Sequence, residues 1–271
     1  MEDSILHIGL LEDEAIEIDI AALELAALDH PAIDLEPYVD ILTAMTERLA
    51  DEAQQAESSE EQAQLLAAVI AGHYGFAGDR ATYDDPANAD LIRVIDRRRG
   101  LPVSLAILYV AAARRMGWHA DVLNTPGHVL ARIGPDTSPV LIDCFGRGEI
   151  VGPVELGAML QNILGANAVP APEHLTPMAN RAVLVRLLMN QAVRAETSGD
   201  AARALAIYER MTIISPALPH GWWERARLEL AAGDRPGARR SLSAMLEITR
   251  DPDLRAHISS ALDALAGSGS P

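Results

Sequence analysis

Apolar residues recur at helical spacing through the first quarter of the chain. Asp13 to Leu28 is rich in Ala, Leu, Ile and Glu. Leu35 to Ala56 repeats the pattern, with Tyr38, Ile41, Leu42, Met45 and Leu49 along one face. Ser58-Ser59-Glu60-Glu61 reads as a helix start, because a Ser side chain accepts from free amides and acids suit the positive end. Leu65, Leu66, Val69 and Ile70 carry that helix to His73, and Gly72, Gly75 and Gly78 break it. Asp84 to Asn88 is a turn. Ala89 to Arg98 is a helix with Leu91, Ile92, Val94 and Ile95 as its apolar residues, and Gly100 stops it. Pro102 fits the first turn of the next helix, where its missing N–H does no harm. That helix, about Val103 to Met116, is apolar on almost every side, the pattern of a helix buried at a domain centre.

After Gly117 the period changes. Ala120 to Leu123, His128 to Ile133 and Val140 to Asp143 read as strands, with Gly134-Pro135-Asp136 as a hairpin-like turn. Gly146-Arg147-Gly148 turns the chain again. From about Thr176 to Ala266 the pattern is helical once more, and it repeats. Gly199-Asp200 recurs as Gly233-Asp234, Ala204 aligns with Ala238, and Tyr208 with Leu242. The period of 34 is that of TPR helix pairs. The expected chain is mostly helical α+β. It has a helical N-terminal part (1–78), a core with a small antiparallel sheet (79–165) that packs with it, TPR-like helices (176–266) and a disordered tail (267–271).

Composition narrows the function. Of 271 residues, 49% are hydrophobic but only 4% aromatic, so Leu, Ile, Val and Ala must fill the core. The formal net charge of −17 repels a phosphate backbone and anionic lipid, which argues against nucleic-acid and membrane partners. Met1 to Leu11 lacks a basic n-region, and no uncharged apolar run reaches about 18 residues. A cytoplasmic location is the expectation. With Cys144 as the sole cysteine, no intrachain disulfide forms. There is no HExxH, no Cys pair and no phosphate-binding loop motif, so no cofactor or metal is expected. Arg97-Arg98-Arg99 reads as a solvated helix end, or as an anion contact at a cleft mouth.

Chemistry concentrates in the strands. His128 follows Pro126-Gly127 and begins one strand; Asp143 ends its hairpin neighbour, within reach. A carboxylate behind an imidazole sets its tautomer and raises its basicity. A nucleophile in front would complete a triad. Equally, the pair could simply hold two strands together.

Residues Tyr83 to Asn88, Val94 to Leu105, Leu108-Tyr109, Ala113 to Gly117, Pro126-Gly127-His128 and Ile142-Asp143-Cys144-Phe145 occur in an order and spacing that resembles the SirB family. These are transglutaminase-like proteins followed by TPR-like repeats. The resemblance implies a papain-like core whose central helix begins near Pro102. It places the catalytic cysteine position on Pro102, the triad histidine on His128 and the triad aspartate on Asp143. Two members of the triad are thus kept, and the nucleophile is lost. Ser104 is two residues along the helix, about 200° around it, and should face away. Cys144 follows Asp143 directly in a strand and should face the opposite side, as a passive thiol; a bulge at the strand end would instead make it a candidate nucleophile. The expected function is a non-catalytic module for a protein or peptide partner with a degenerate site. The alternative is a hydrolase or acyltransferase on amide or peptide bonds, using His128, Asp143 and an unidentified nucleophile.

Overall fold

The computed structural model describes residues 2–53, 56–169 and 171–267. Its contacts divide the chain into two compact units, Glu12–Leu187 and a second formed by Met1–Leu11 with Leu188–Pro271. In chain order the helices are α1 (Leu6–Leu10), α2 (Ile18–Ala27), α3 (Glu36–Glu52), α4 (Ser59–Leu66), α5 (Leu91–Arg97), α6 (Pro102–Arg115), α7 (Pro153–Leu164), α8 (Asn180–Thr197), α9 (Ala201–Ile214), α10 (Pro219–Ala231), α11 (Arg235–Ile248) and α12 (Pro252–Gly267). The strands are β1 (Ala77–Gly78), β2 (Arg99–Gly100), β3 (Ala120–Leu123), β4 (Leu130–Ile133), β5 (Val140–Asp143) and β6 (Glu149–Ile150). The chain is a mostly helical α+β protein.

The larger unit is built around α6. Every residue from Pro102 to Ala113 is buried, as its continuous apolar character requires. The helix packs against β3 and β4 on one side and against α2, α3 and α4 on others. Its last-turn arginines are tied down. Arg115 makes a bidentate pair with the buried Asp19 (2.5 and 2.9 Å), and Arg114 donates to the Ala120 carbonyl (2.8 Å). The capping box read at Ser58 is formed: the Ser58 hydroxyl accepts from the Glu61 N–H, and the Glu61 carboxylate accepts from the Ser58 N–H. Beyond α4 the chain continues in wider π-helical turns over Ala67–His73.

The sheet runs in the order β3-β4-β5-β6, antiparallel throughout. The strands depart from the sequence pattern in three places, one of them the fourth strand β6, which follows the turn at Gly146–Gly148. Strand β4 starts at Leu130, not at His128. The His128 N–H is taken by the Thr125 carbonyl (3.0 Å), closing a turn in which Gly127 has φ +70°. His128 therefore projects from a turn, not from the ladder. In addition, β1 pairs in parallel with β2 (Ala77 with Arg99, Gly78 with Gly100), a short pairing that brings residues 77–79 beside the start of α6.

The second unit contains two helical hairpins whose turns repeat bond for bond. Gly199 and Gly233 have φ of +79° and +81°. Asp200 N donates to Ala195 O and Asp234 N to Glu229 O, both at 2.8 Å. The Asp200 and Asp234 carboxylates then cap Arg203 N and Gly237 N. The core here is Ala226, Ala238, Leu242, Met245 and Ile258, with half-buried Trp222 and Trp223 against it. The tail expected over 267–271 falls, beyond Gly267, outside the described residues.

Candidate functional site

The turn at Thr125–His128 and the end of β5 meet at one point. His128 Nε2 lies 2.8 Å from Asp143 Oδ1, and each side chain is 19% exposed. With Nε2 engaged, Nδ1 is the ring nitrogen left without a hydrogen-bond partner among the described residues. The carboxylate is held from behind as well, since Asp143 Oδ1 accepts from Phe145 N (3.0 Å). Burial opposes the ionisation of Asp143. The hydrogen bond and charge of His128, with the Gly146 and Phe145 N–H groups, outweigh it and hold the carboxyl below its ordinary range. The pair is therefore an oriented imidazole backed by a carboxylate.

Phe145 forms the adjoining wall. Its ring stands edge-to-face with His128 (6.3 Å) and with Tyr83 (5.8 Å), and the Arg80 guanidinium lies 5.5 Å from its centroid. Gly78 has to be glycine here, because an added Cβ would sit 2.4 Å from the Phe145 ring. Gly78 N also donates to Phe145 O (3.0 Å). Sequence pattern does not single out these rim residues. Tyr83 and Phe145 lie inside the motifs quoted above, but nothing in the spacing says that they meet.

Pro102 opens α6 and is buried. Ser104, two residues on, is fully buried, and its hydroxyl donates to the Asn88 carbonyl at 2.7 Å. Cys144 is also fully buried. It follows β5 rather than lying within it, and it faces the interior. Burial pushes its thiol far up, and the neighbouring Asp143 charge adds to that. Tyr109, on α6, has its phenol raised by burial and by the proximity of Cys144 and Asp143, so it stays protonated. Cys144 should accordingly resist iodoacetamide in the folded protein. We expect alkylation at pH 8 about 100-fold slower than a free thiol, unchanged in His128→Ala and restored by denaturant. A free-thiol rate in the native protein would refute the buried placement.

The basic run is a solvated helix end only in part: Arg99 is exposed, whereas Arg97 and Arg98 are half-buried. Arg97 donates to Asp79 Oδ2 (2.9 Å) and to Asn88 Oδ1 (3.2 Å), and it pairs with Asp85 (3.3 Å). Arg98 caps α5 in the left-handed region (φ +56°) with its guanidinium over Phe76 (4.6 Å). Arg99 donates to the Gly75 carbonyl (3.0 Å). Arg97 is thus drawn onto local acids and Arg98 onto an aromatic ring, while Arg99 stays exposed.

The chain as a whole is similar to known proteins. The model of the family described as "Transglutaminase-like superfamily" matches residues 36–189, more than half of the chain. The chain belongs to the transglutaminase-like superfamily. A UPF0162 protein of Xylella fastidiosa (strain 9a5c) is 29% identical over 89% of this chain and 87% of its own length. A UPF0162 protein of Vibrio cholerae is 31% identical over 65% of each chain. The mouse F-box only protein 21 is 32% identical over 37% of this chain and 18% of its own. In this superfamily member, His128 and Asp143 stand together while α6 opens on a proline. Among the described residues no helix is long and apolar enough to cross a membrane.

Proposed function

We propose that this chain is a non-catalytic transglutaminase-like protein, a protein- or peptide-binding module whose site has lost its nucleophile. One observation carries the reading. The three nucleophile positions that the sequence offers to the oriented His128–Asp143 pair are each unfit. Pro102 has no hydroxyl or thiol, the Ser104 proton is committed to the Asn88 carbonyl, and Cys144 is sealed in the core with its thiol protonated. Such a pair still binds. An imidazole with a free ring nitrogen beside Phe145, whose ring in turn meets Tyr83 and Arg80, suits the backbone and side chains of an extended peptide.

The finer family reading belongs to the same proposal: a SirB-type chain whose C-terminal hairpins are TPR-like, working in the cytoplasm with a protein partner. The repeated Gly-Asp turns support the TPR-like reading. The test is a direct one. Amine incorporation into a glutamine peptide, and hydrolysis of amide and peptide substrates, should stay at background for the native chain and for His128→Ala alike. Turnover that disappears in His128→Ala would overturn the proposal. It would favour a hydrolase or acyltransferase that uses His128 and Asp143 to activate water.

A further inference from the structure

The C-terminal helices carry a feature that has no part in the cleft. Along one face of α11, positions 235, 239 and 247 follow at helical spacing with Arg240 beside them. They line a cavity of about 590 Å³ whose far wall includes Leu265 of α12. Arg235 donates to the Leu265 carbonyl (2.9 Å), in the last turn of α12 where a cation suits the helix end. That bond secures the cavity wall. Arg239 and Arg240 differ. Both are exposed, and neither makes a hydrogen bond or ion pair among the described residues.

This is unusual company for free arginines. The chain has 39 acidic and 22 basic residues. In the same unit Arg225 bridges Glu209 and Glu229, and Arg227 bridges Glu196 and Glu224. Two neighbouring guanidinium groups that no carboxylate bonds among the described residues, at the mouth of a cavity, form a local positive centre on an acidic protein. We propose that this groove binds a short acidic peptide segment of a partner protein. Each guanidinium offers a planar fork that matches a carboxylate. Leu265 and Ala244 give an apolar surface for a side chain between the acids. Glu247 lies two turns beyond Arg239 and ends the positive stretch, which limits the segment to a few acids. A nucleic acid fits less well, because two arginines neutralise few phosphates and the net charge of −17 repels the remainder.

The experiment is fluorescence anisotropy of a fluorescein-labelled Glu-Leu-Glu-Glu-Leu peptide titrated with the full chain. We expect saturable binding that weakens several-fold between 50 and 200 mM salt. The Gln-Leu-Gln-Gln-Leu counterpart should bind at least tenfold more weakly. Arg239→Ala/Arg240→Ala should lose at least tenfold, and His128→Ala should change nothing, which separates this groove from the cleft. Both arginines are exposed, so the double variant should keep its circular dichroism and melting temperature. Three results would overturn the proposal: equal binding by the double variant, tighter binding of a labelled 12-nucleotide oligo-dT, or self-association in sedimentation that the double variant abolishes.

Discussion

Placing a thiol at position 102 should rebuild a reactive cysteine. In Pro102→Cys/Cys144→Ala the only thiol sits at the first residue of α6. Its environment there is set by three things. The helix N-terminus contributes partial positive charge. The His128 imidazole, which the degenerate-site reading sets opposite, has its Nε2 already committed to Asp143, which leaves Nδ1 to accept a proton. The start of the helix is held beside Phe145, because Gly78 bonds Phe145 on one side and pairs with Gly100 on the other. A thiol beside such an imidazole exists as a thiolate–imidazolium pair. The midpoint of its alkylation rate should fall from about 8.5 to below about 7.

The rate itself should rise less than the thiolate fraction, since nucleophilicity falls as the pKa falls. The pH midpoint is therefore the quantity to measure. Adding His128→Ala should return it upward by at least about one unit, and Asp143→Ala should do so in part by releasing the imidazole. A midpoint at or above about 8.5 in all three backgrounds would mean that Pro102 does not face His128. The degenerate-site reading would then fall, although the superfamily membership would stand.

Much of the fold is legible in the sequence. The apolar continuity of 103–116 announces the buried central helix, and the change of period after Gly117 announces the strands. Pro126-Gly127 announces a turn ahead of His128, but local pattern does not say that His128 belongs to the turn and not to the ladder. That depends on whether its N–H closes the turn or joins β4, and only the hydrogen bond decides. The parallel pairing of β1 with β2 is illegible for a different reason. Two residues give no alternation, and their partner lies across α5. Arg97-Arg98-Arg99 reads as a solvated end because charge patterning alone cannot tell solvent from a buried acid. Its partners Asp79, Asp85 and Asn88 lie some ten to twenty positions away and are assembled by the fold.

That assembly yields the largest expected effect on stability. Asp79 is 5% exposed. Its carboxylate accepts from the Thr82 hydroxyl (2.7 Å), the Thr82 N–H (2.9 Å) and the Ala81 N–H (3.1 Å), as well as from Arg97. The Thr82 hydroxyl and then its N–H, against the opposing effect of burial, push the acid down to about 2. The same knot reaches α6: Asp79 N donates to Gly100 O, Leu101 N to Asn88 O and Ser104 Oγ to Asn88 O. Removing the carboxylate takes the common acceptor from the Ala81 and Thr82 donors of an exposed loop and leaves Arg97 with Asp85 and Asn88. Asp79→Ala should therefore cost about 2 kcal/mol in denaturant unfolding at pH 7.

The pH dependence has a defined sign. The unfolded acid titrates near about 3.9, above the folded value, so the native state favours the ionised form. The stabilisation is complete above the unfolded value and disappears as pH falls towards about 2. The difference between wild type and Asp79→Ala should shrink between pH 5 and pH 2, because only the wild type has this carboxylate to protonate. A difference that stays constant over that window would mean that the ionised carboxylate is not what holds the loop. In the Pro102→Cys/Cys144→Ala background, Asp79→Ala should also raise the thiol midpoint towards its free value. The two effects share a cause, since the knot that stabilises the fold is the one that holds the start of α6 against the wall beside His128.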